Sequence, residues 1–189
     1  EVKRRSNRAL LARYAELRRW AEAAGDPLLG ALRLAGAANA LDVATREELP
    51  SVEEVLERAR EAAVPDGSWR AFLEALGAAR SLLYVGDNAG EVVLDRLLLE
   101  AIAARRPGIR LRFLVRGAPV LNDVTAEDAA AVGMSGVAEV VSSGSDLPAF
   151  SPRECEAAAL RAYRDSDMIL AKGQGNFEAL HEEGRPVWF

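Results

Sequence analysis

Cysteine is almost absent: Cys155 is the only one in 189 residues. Disulfides within this chain and cysteine-based zinc sites are thereby excluded, and a reducing, cytoplasmic setting is expected. Histidine is as scarce. His181 stands alone in a polar run with Glu182, Glu183 and Gly184, where it reads as a surface residue and not as the base of a Ser-His-Asp or Cys-His triad. No stretch approaches the ~20 uninterrupted apolar residues of a membrane span, and no signal-peptide pattern opens the sequence, so no membrane partner is expected. Basic stripes are missing too, and a formal net charge of −5 argues against a nucleic-acid partner held by phosphate neutralisation. Of the 24 basic residues only Lys3 and Lys172 are lysines. A sequence that uses arginine almost everywhere and keeps Lys172 between glycine-rich turns points to a need for an ammonium there.

Half of the residues are apolar, enough for one sizeable core with a small appended subdomain. Residues 1–80 read as an N-terminal helical subdomain. Leu10, Leu11, Tyr14, Leu17 and Trp20 or Ala21 recur at helical spacing until Gly25, Asp26 and Pro27 break the run. A second helix is expected over about 27–43, and Asn39 and Asp42 share one face at its end. Ser51 and Glu54 form a capping box for a third helix. A fourth carries Trp69, Phe72, Leu73 and Leu76.

From Ser81 onward the pattern alternates strand and helix, which predicts an α/β domain over 81–189: a parallel, Rossmann-like sheet with helices on both faces. Strands are expected at 82–86, 109–115, 137–141 and 168–171, with a fifth beginning at Val187. The helix before the fourth strand is expected to start at Pro152, capped by Ser151. Every strand ends in a polar cluster. Asp87 and Asn88 follow the first; Arg116 and Asp123 follow the second; a Ser-Gly-Ser turn follows the third; Lys172 and Asn176 follow the fourth. The crevice past the carboxyl ends of such strands is where ligands bind in open α/β sheets. Hard oxygen donors, a lysine and glycine turns are the equipment for holding a cation such as Mg²⁺ or Mn²⁺ together with a phosphate. Each cluster also has a plain reading as turn or helix-cap chemistry; their shared edge favours the functional one.

Three stretches, GDNAGE (86–91), RGAPVLNDVTAEDA (116–129) and AKGQGNFEAL (171–180), resemble in order and spacing the metal-dependent damage-control phosphatases, formerly the domain-of-unknown-function-89 family. EVKRRSN (1–7) and the Asn39 to Asp42 segment resemble that family's helical part. Ala38 stands where a glycine is expected. The resemblance implies that Asp87, Asn88 and Asp123 bind a divalent metal and that Glu91 and Lys172 contact substrate near the phosphate. Asn39, Asp42, Arg116 and Asn176 match positions lining the same pocket. It implies hydrolysis of small-molecule phosphomonoesters, among them sugar phosphates and damaged phosphometabolites, with Mn²⁺ or Mg²⁺, or else Co²⁺ or Ni²⁺. Relatives often begin with a further helical segment and continue past the last strand, so the sequence is expected to be a trimmed piece. Two rival readings remain: an S-adenosylmethionine-dependent carboxyl methyltransferase, weakened by the lack of a G-x-G turn, and a catalytically silent sugar-phosphate binding module.

Overall fold

A computed structural model describes residues 2–39 and 51–189, the side chains of Val2 and Asn39 excepted. Among these residues five helices come first: α1 (Val2–Ala12), α2 (Tyr14–Glu22), α3 (Pro27–Asn39), α4 (Val52–Glu61) and α5 (Asp66–Ala78). Then follow β1 (Ser81–Val85), α6 (Val92–Arg105), β2 (Arg110–Val115), α7 (Ala126–Ala131), a 3₁₀ turn, β3 (Glu139–Ser142), α8 (Ala157–Asp165), β4 (Met168–Ala171) and α9 (Gln174–Leu180).

The strands are all parallel in the order β3-β2-β1-β4. β1 is buried along its whole length, as expected of a central strand covered on both faces. Its alternation divides the core. Leu82 and Tyr84 join Phe113 of β2 and Leu170 of β4 on the face covered by α3 and α6, while Leu83, Val85 and Ile169 meet α8 and the end of α9 on the other. The first of these cores also takes in Leu17, Leu34, Val55 and Phe72 from the N-terminal helices. Helices therefore lie on both faces of the sheet, and none of the described ones is long and apolar enough to cross a membrane.

The expected strands and most helices are present within a residue or two. The capping box is formed: Glu54 N–H donates to Ser51 Oγ, and the Ser51 N–H donates to Glu54 Oε2. The apolar run at residues 10–21 is divided at Arg13, whose guanidinium is drawn to Glu16 and across to Glu53 on α4. The helix expected from Pro152 begins only at Ala157: residues 152–155 form turns and bends, and Glu156, extended at φ −66° and ψ 156°, donates its N–H to Ser143 O at 2.8 Å at the end of β3. The fifth strand is represented by a parallel bridge in which Trp188 N–H donates to Ile169 O and Ala171 N–H donates to Trp188 O.

Candidate active site

β1 has β2 on one side and β4 on the other, so the chain leaves their carboxyl ends in opposite directions and a crevice opens there. The loops after β1 and β2 are joined across it by their main chains. Val124 N–H donates to Asp87 O at 2.7 Å, and Ala89 N–H donates to Asn122 O at 2.8 Å. Asn88 and Asp123 thereby sit opposite one another as an antiparallel bridge. The loop that carries Asp123 turns through Leu121, a non-glycine residue at φ +44° that is largely exposed.

The side chains converge around this staple. Asn88 Nδ2 donates to Asp87 Oδ2 at 2.9 Å and to Glu91 Oε1 at 2.8 Å, which uses both amide protons and leaves the amide oxygen as an acceptor. The Lys172 ammonium lies 2.6 Å from Glu91 Oε2 and 2.8 Å from Asp95 Oδ1. Asp95 is wholly buried and also accepts the Tyr84 hydroxyl at 2.7 Å. Burial by itself would lower the Lys172 ammonium, but Asp95 and Glu91 override it and hold the group above its ordinary value. Burial pushes the Asp87 carboxyl up to about 7, and Glu91 and Asp123 add to this against the pull of Lys172 and Arg116.

Arg116 is buried, and its Nε donates to Asp123 Oδ2 at 2.7 Å while Nη2 donates to Asn176 Oδ1 at 3.2 Å. Asn176 is equally enclosed. It accepts from Phe150 N–H and donates to Gly86 O and Lys172 O, so it ties the tips of β1 and β4 together. Asn176 thus has protein partners for both its amide oxygen and its amide nitrogen, whereas Arg116 keeps Nη1 buried without a partner among the described residues while Nε and Nη2 orient Asp123 and Asn176. The Ser-Gly-Ser turn is occupied as well: Gly117 N–H donates to Ser143 Oγ and Ser145 O, which spends that turn on bracing the β2 loop. Of the residues singled out in the sequence, Asp87, Asn88, Glu91, Arg116, Asp123, Lys172 and Asn176 form one cluster. The Asn39 side chain and Asp42 lie outside the described residues.

The sequence reading missed four contributors. Asp95 and Tyr84 were hidden because both stand in apolar runs, although Asp95 lies one helical turn beyond Glu91 on the same face. Lys3 on α1 donates to Asp123 O and pairs with Asp128, and Asn7 Oδ1 accepts from Gly90 N–H at 2.6 Å. The rarity of lysine was the available signal for Lys3.

Four carboxylates (Asp87, Glu91, Asp95 and Asp123) here face the two cations Lys172 and Arg116. That surplus of negative charge, with the raised Asp87 carboxyl and the spare Asn88 oxygen, fits a hard divalent cation. Among the described residues no three of His, Cys, Asp and Glu form a cage by themselves; the candidate donors are two aspartates and an amide. Gly173 keeps this arrangement open. Its φ is +89°, and a Cβ there would stand 2.2 Å from Asp87 Oδ2. Gly173→Ala is expected to destabilise the fold by about 1–3 kcal/mol and to displace Asp87, which a thermal melt and a metal-binding titration of the variant would both register.

The family described as the damage-control phosphatase ARMT1-like domain matches residues 1–187. A damage-control phosphatase of Pyrococcus horikoshii is 28% identical over 152 residues, 80% of this chain and 53% of its own length. One from Archaeoglobus fulgidus is 33% identical over 57% of this chain and 38% of its own length. An uncharacterised protein of Methanocaldococcus jannaschii is 39% identical over 54% of this chain and 33% of its own. The crystal structure of a DUF89 family protein from Pyrococcus horikoshii superposes with a TM-score of 0.71 at 30% identity, covering 80% of this chain and 53% of that one. The chain therefore spans between a third and about half of the length of the relatives it matches. With one family covering nearly every residue and the same fold in a solved relative, the chain belongs to the damage-control phosphatase ARMT1-like domain family.

Proposed function

We propose that this protein is a metal-dependent phosphatase that hydrolyses small-molecule phosphomonoesters. The observation that carries the reading is the main-chain staple between residues 87–89 and 122–124, which brings Asn88 opposite Asp123 beside the Lys172–Glu91 ion pair. Relatives named damage-control phosphatases support it. In this reading Asp87, Asn88 and Asp123 hold a divalent cation, with Mn²⁺ and Mg²⁺ the first candidates. Bound there, such a cation would supply charge neutralisation for a phosphoryl group and a lowered pKa for water.

The side chains supply the rest. Lys172 has three ammonium protons, of which Glu91 and Asp95 engage two; the third is available to a phosphoryl oxygen, at an angle fixed by the other two. Arg116 aligns Asp123 through Oδ2 and leaves the other carboxylate oxygen for the cation. Asp123 or Glu91, the carboxylates bordering the site, accept the proton of the attacking water. The loose transition state of phosphoryl transfer makes positioning and charge the main contributions to rate.

The raised Asp87 carboxyl gives this proposal a pH signature. Below about 7 the metal-free protein keeps a proton on Asp87, which cation binding must displace. Apparent metal affinity is therefore expected to fall about tenfold per pH unit as pH drops below that value and to level off above it. Stability of the metal-free protein changes in the opposite sense. A carboxyl whose folded pKa exceeds its unfolded one destabilises the fold as it ionises, so the Asp87 contribution declines as pH rises from the ordinary carboxylate range to about 7. Melting curves of the protein and of Asp87→Asn across this range isolate the difference. The functional test is a panel of phosphate esters assayed with each of Mg²⁺, Mn²⁺, Co²⁺ and Ni²⁺. Turnover of no ester with any of them overturns the assignment.

A further inference from the structure

The space beside the Lys172 turn is larger and less polar than a phosphoryl group requires. A cavity of 710 Å³ lies between α3, the segment following α4, and the ends of β4 and α9, a volume suited to a whole small molecule. Lys172 and Gly173 form part of its wall. Because Gly173 packs directly on the Asp87 carboxylate, the cavity adjoins the site proposed for the phosphoryl group.

Its walls among the described residues are chiefly carbon, with Leu32 from α3, Leu98 from α6, Leu170 from β4 and Phe177 from α9. The polar groups that reach it are mostly committed elsewhere. The Tyr84 hydroxyl donates to Asp95, Gln174 donates to Glu178, and Lys172 serves Asp95 and Glu91. Arg33 is the exception. It lines the same cavity, and its Nε is buried without a hydrogen-bond partner. The buried Nε is itself out of a ligand's reach, but its lack of a partner shows that none of the described residues holds this edge of the guanidinium, whose remaining N–H groups are left to meet an acceptor in the cavity.

We propose that this cavity receives the organic part of the substrate, and that this part is mostly apolar and bears one carboxylate or similarly planar anionic group that binds Arg33. The inference rests on the phosphatase reading and adds the class of ester to it. Among the described residues, the walls at Leu32, Leu98, Leu170 and Phe177 offer the hydroxyls of a polyhydroxylated sugar no partner. An aryl or alkyl body fills the same walls at no such cost. The guanidinium then supplies the fork geometry that a carboxylate matches with two parallel hydrogen bonds.

Three esters separate the possibilities: 4-carboxybenzyl phosphate, benzyl phosphate and glucose 6-phosphate, assayed with the best metal of the panel. Benzyl phosphate is expected to exceed glucose 6-phosphate in kcat/KM, and the carboxylated ester to exceed benzyl phosphate about tenfold, mainly through KM. Arg33→Gln is expected to collapse the ratio between the two benzyl esters to near one, and Arg33→Lys to collapse most of it, since a point charge cannot reproduce the fork. Melting temperatures of both variants show whether they are folded. Preference for the sugar phosphate, or an unchanged ratio in folded Arg33→Gln, overturns the inference and leaves the phosphatase reading intact. If no ester is turned over, that reading fails instead, and calorimetric binding of 4-carboxybenzylphosphonate decides the cavity separately. Binding that is lost in Arg33→Gln upholds it, and no binding to the unaltered protein overturns it.

Discussion

Asp123→Ala is expected to lower kcat on the order of a thousandfold, because it removes both a proposed cation ligand and the anion that Arg116 is aligned to meet. The interpretation needs a control. Arg116 is buried and its Nε donates to Asp123 Oδ2, so alanine also leaves a guanidinium without its counter-ion, at a cost of about 3–5 kcal/mol. Asp123→Asn separates the two effects. Its amide oxygen accepts the Arg116 Nε–H and preserves the shape of the loop, while the charge that draws a cation is gone. The expected result is a folded Asn variant that recovers part of the stability lost in the alanine variant, through the hydrogen bond it keeps, and turnover of a generic aryl phosphate still lost in the presence of Mn²⁺. Asp87→Ala is expected to match it in activity. Unchanged hydrolysis in both aspartate variants would sink the ligand assignment.

Lys172→Met carries the second large effect, and it falls on stability as well as rate. The ammonium is the partner of both Glu91 and Asp95, and Asp95 has no solvent exposure. Deleting one side of such a buried arrangement costs about 3–5 kcal/mol, since the stranded carboxylates must either remain charged in a poor solvent or take up protons. For a protein of this size that corresponds to a fall of about 10 °C in melting temperature. Combining Lys172→Met with Asp95→Asn is expected to recover part of that loss, because asparagine still accepts the Tyr84 hydroxyl and no longer needs a counter-ion. Turnover is expected to stay absent in the double variant. Recovery of activity along with stability would show that Lys172 is only a structural ion-pair partner.

The sheet and the location of the site were legible because each strand is an apolar run that stops abruptly at glycine and polar residues. Val85 to Asn88 and Ala171 to Gly173 announce both the strand and the polar tip that joins the candidate site. The roles within the cluster were less legible. Nothing in the spacing of Arg116 says whether its guanidinium will meet a substrate or Asp123, since that depends on the path of the loop through Leu121. Asp95 escaped because a lone acid in a leucine-rich helix carries no periodic signature; only the depth of α6 and the reach of Lys172 give it a purpose. The false helix start at Pro152 has the same origin. Ser151, Pro152 and Glu154 satisfy every local rule for a helix entry, yet residues 152–155 form only turns and bends, and the bond from Glu156 N–H to Ser143 O, a contact between distant segments, ties the chain to the end of β3 before the helix starts.

The staple between the two loops is made of peptide groups, not side chains. Its hydrogen bonds consequently do not draw on the Asn122 side chain, although the buried Ala89 leaves no room for a larger one, and Leu121 in the intervening loop is largely exposed. Substitutions at the exposed Leu121 are therefore expected to leave the separation of the segments that carry Asp87, Asn88 and Asp123 unaltered, which insulates the candidate site from that part of its own scaffold.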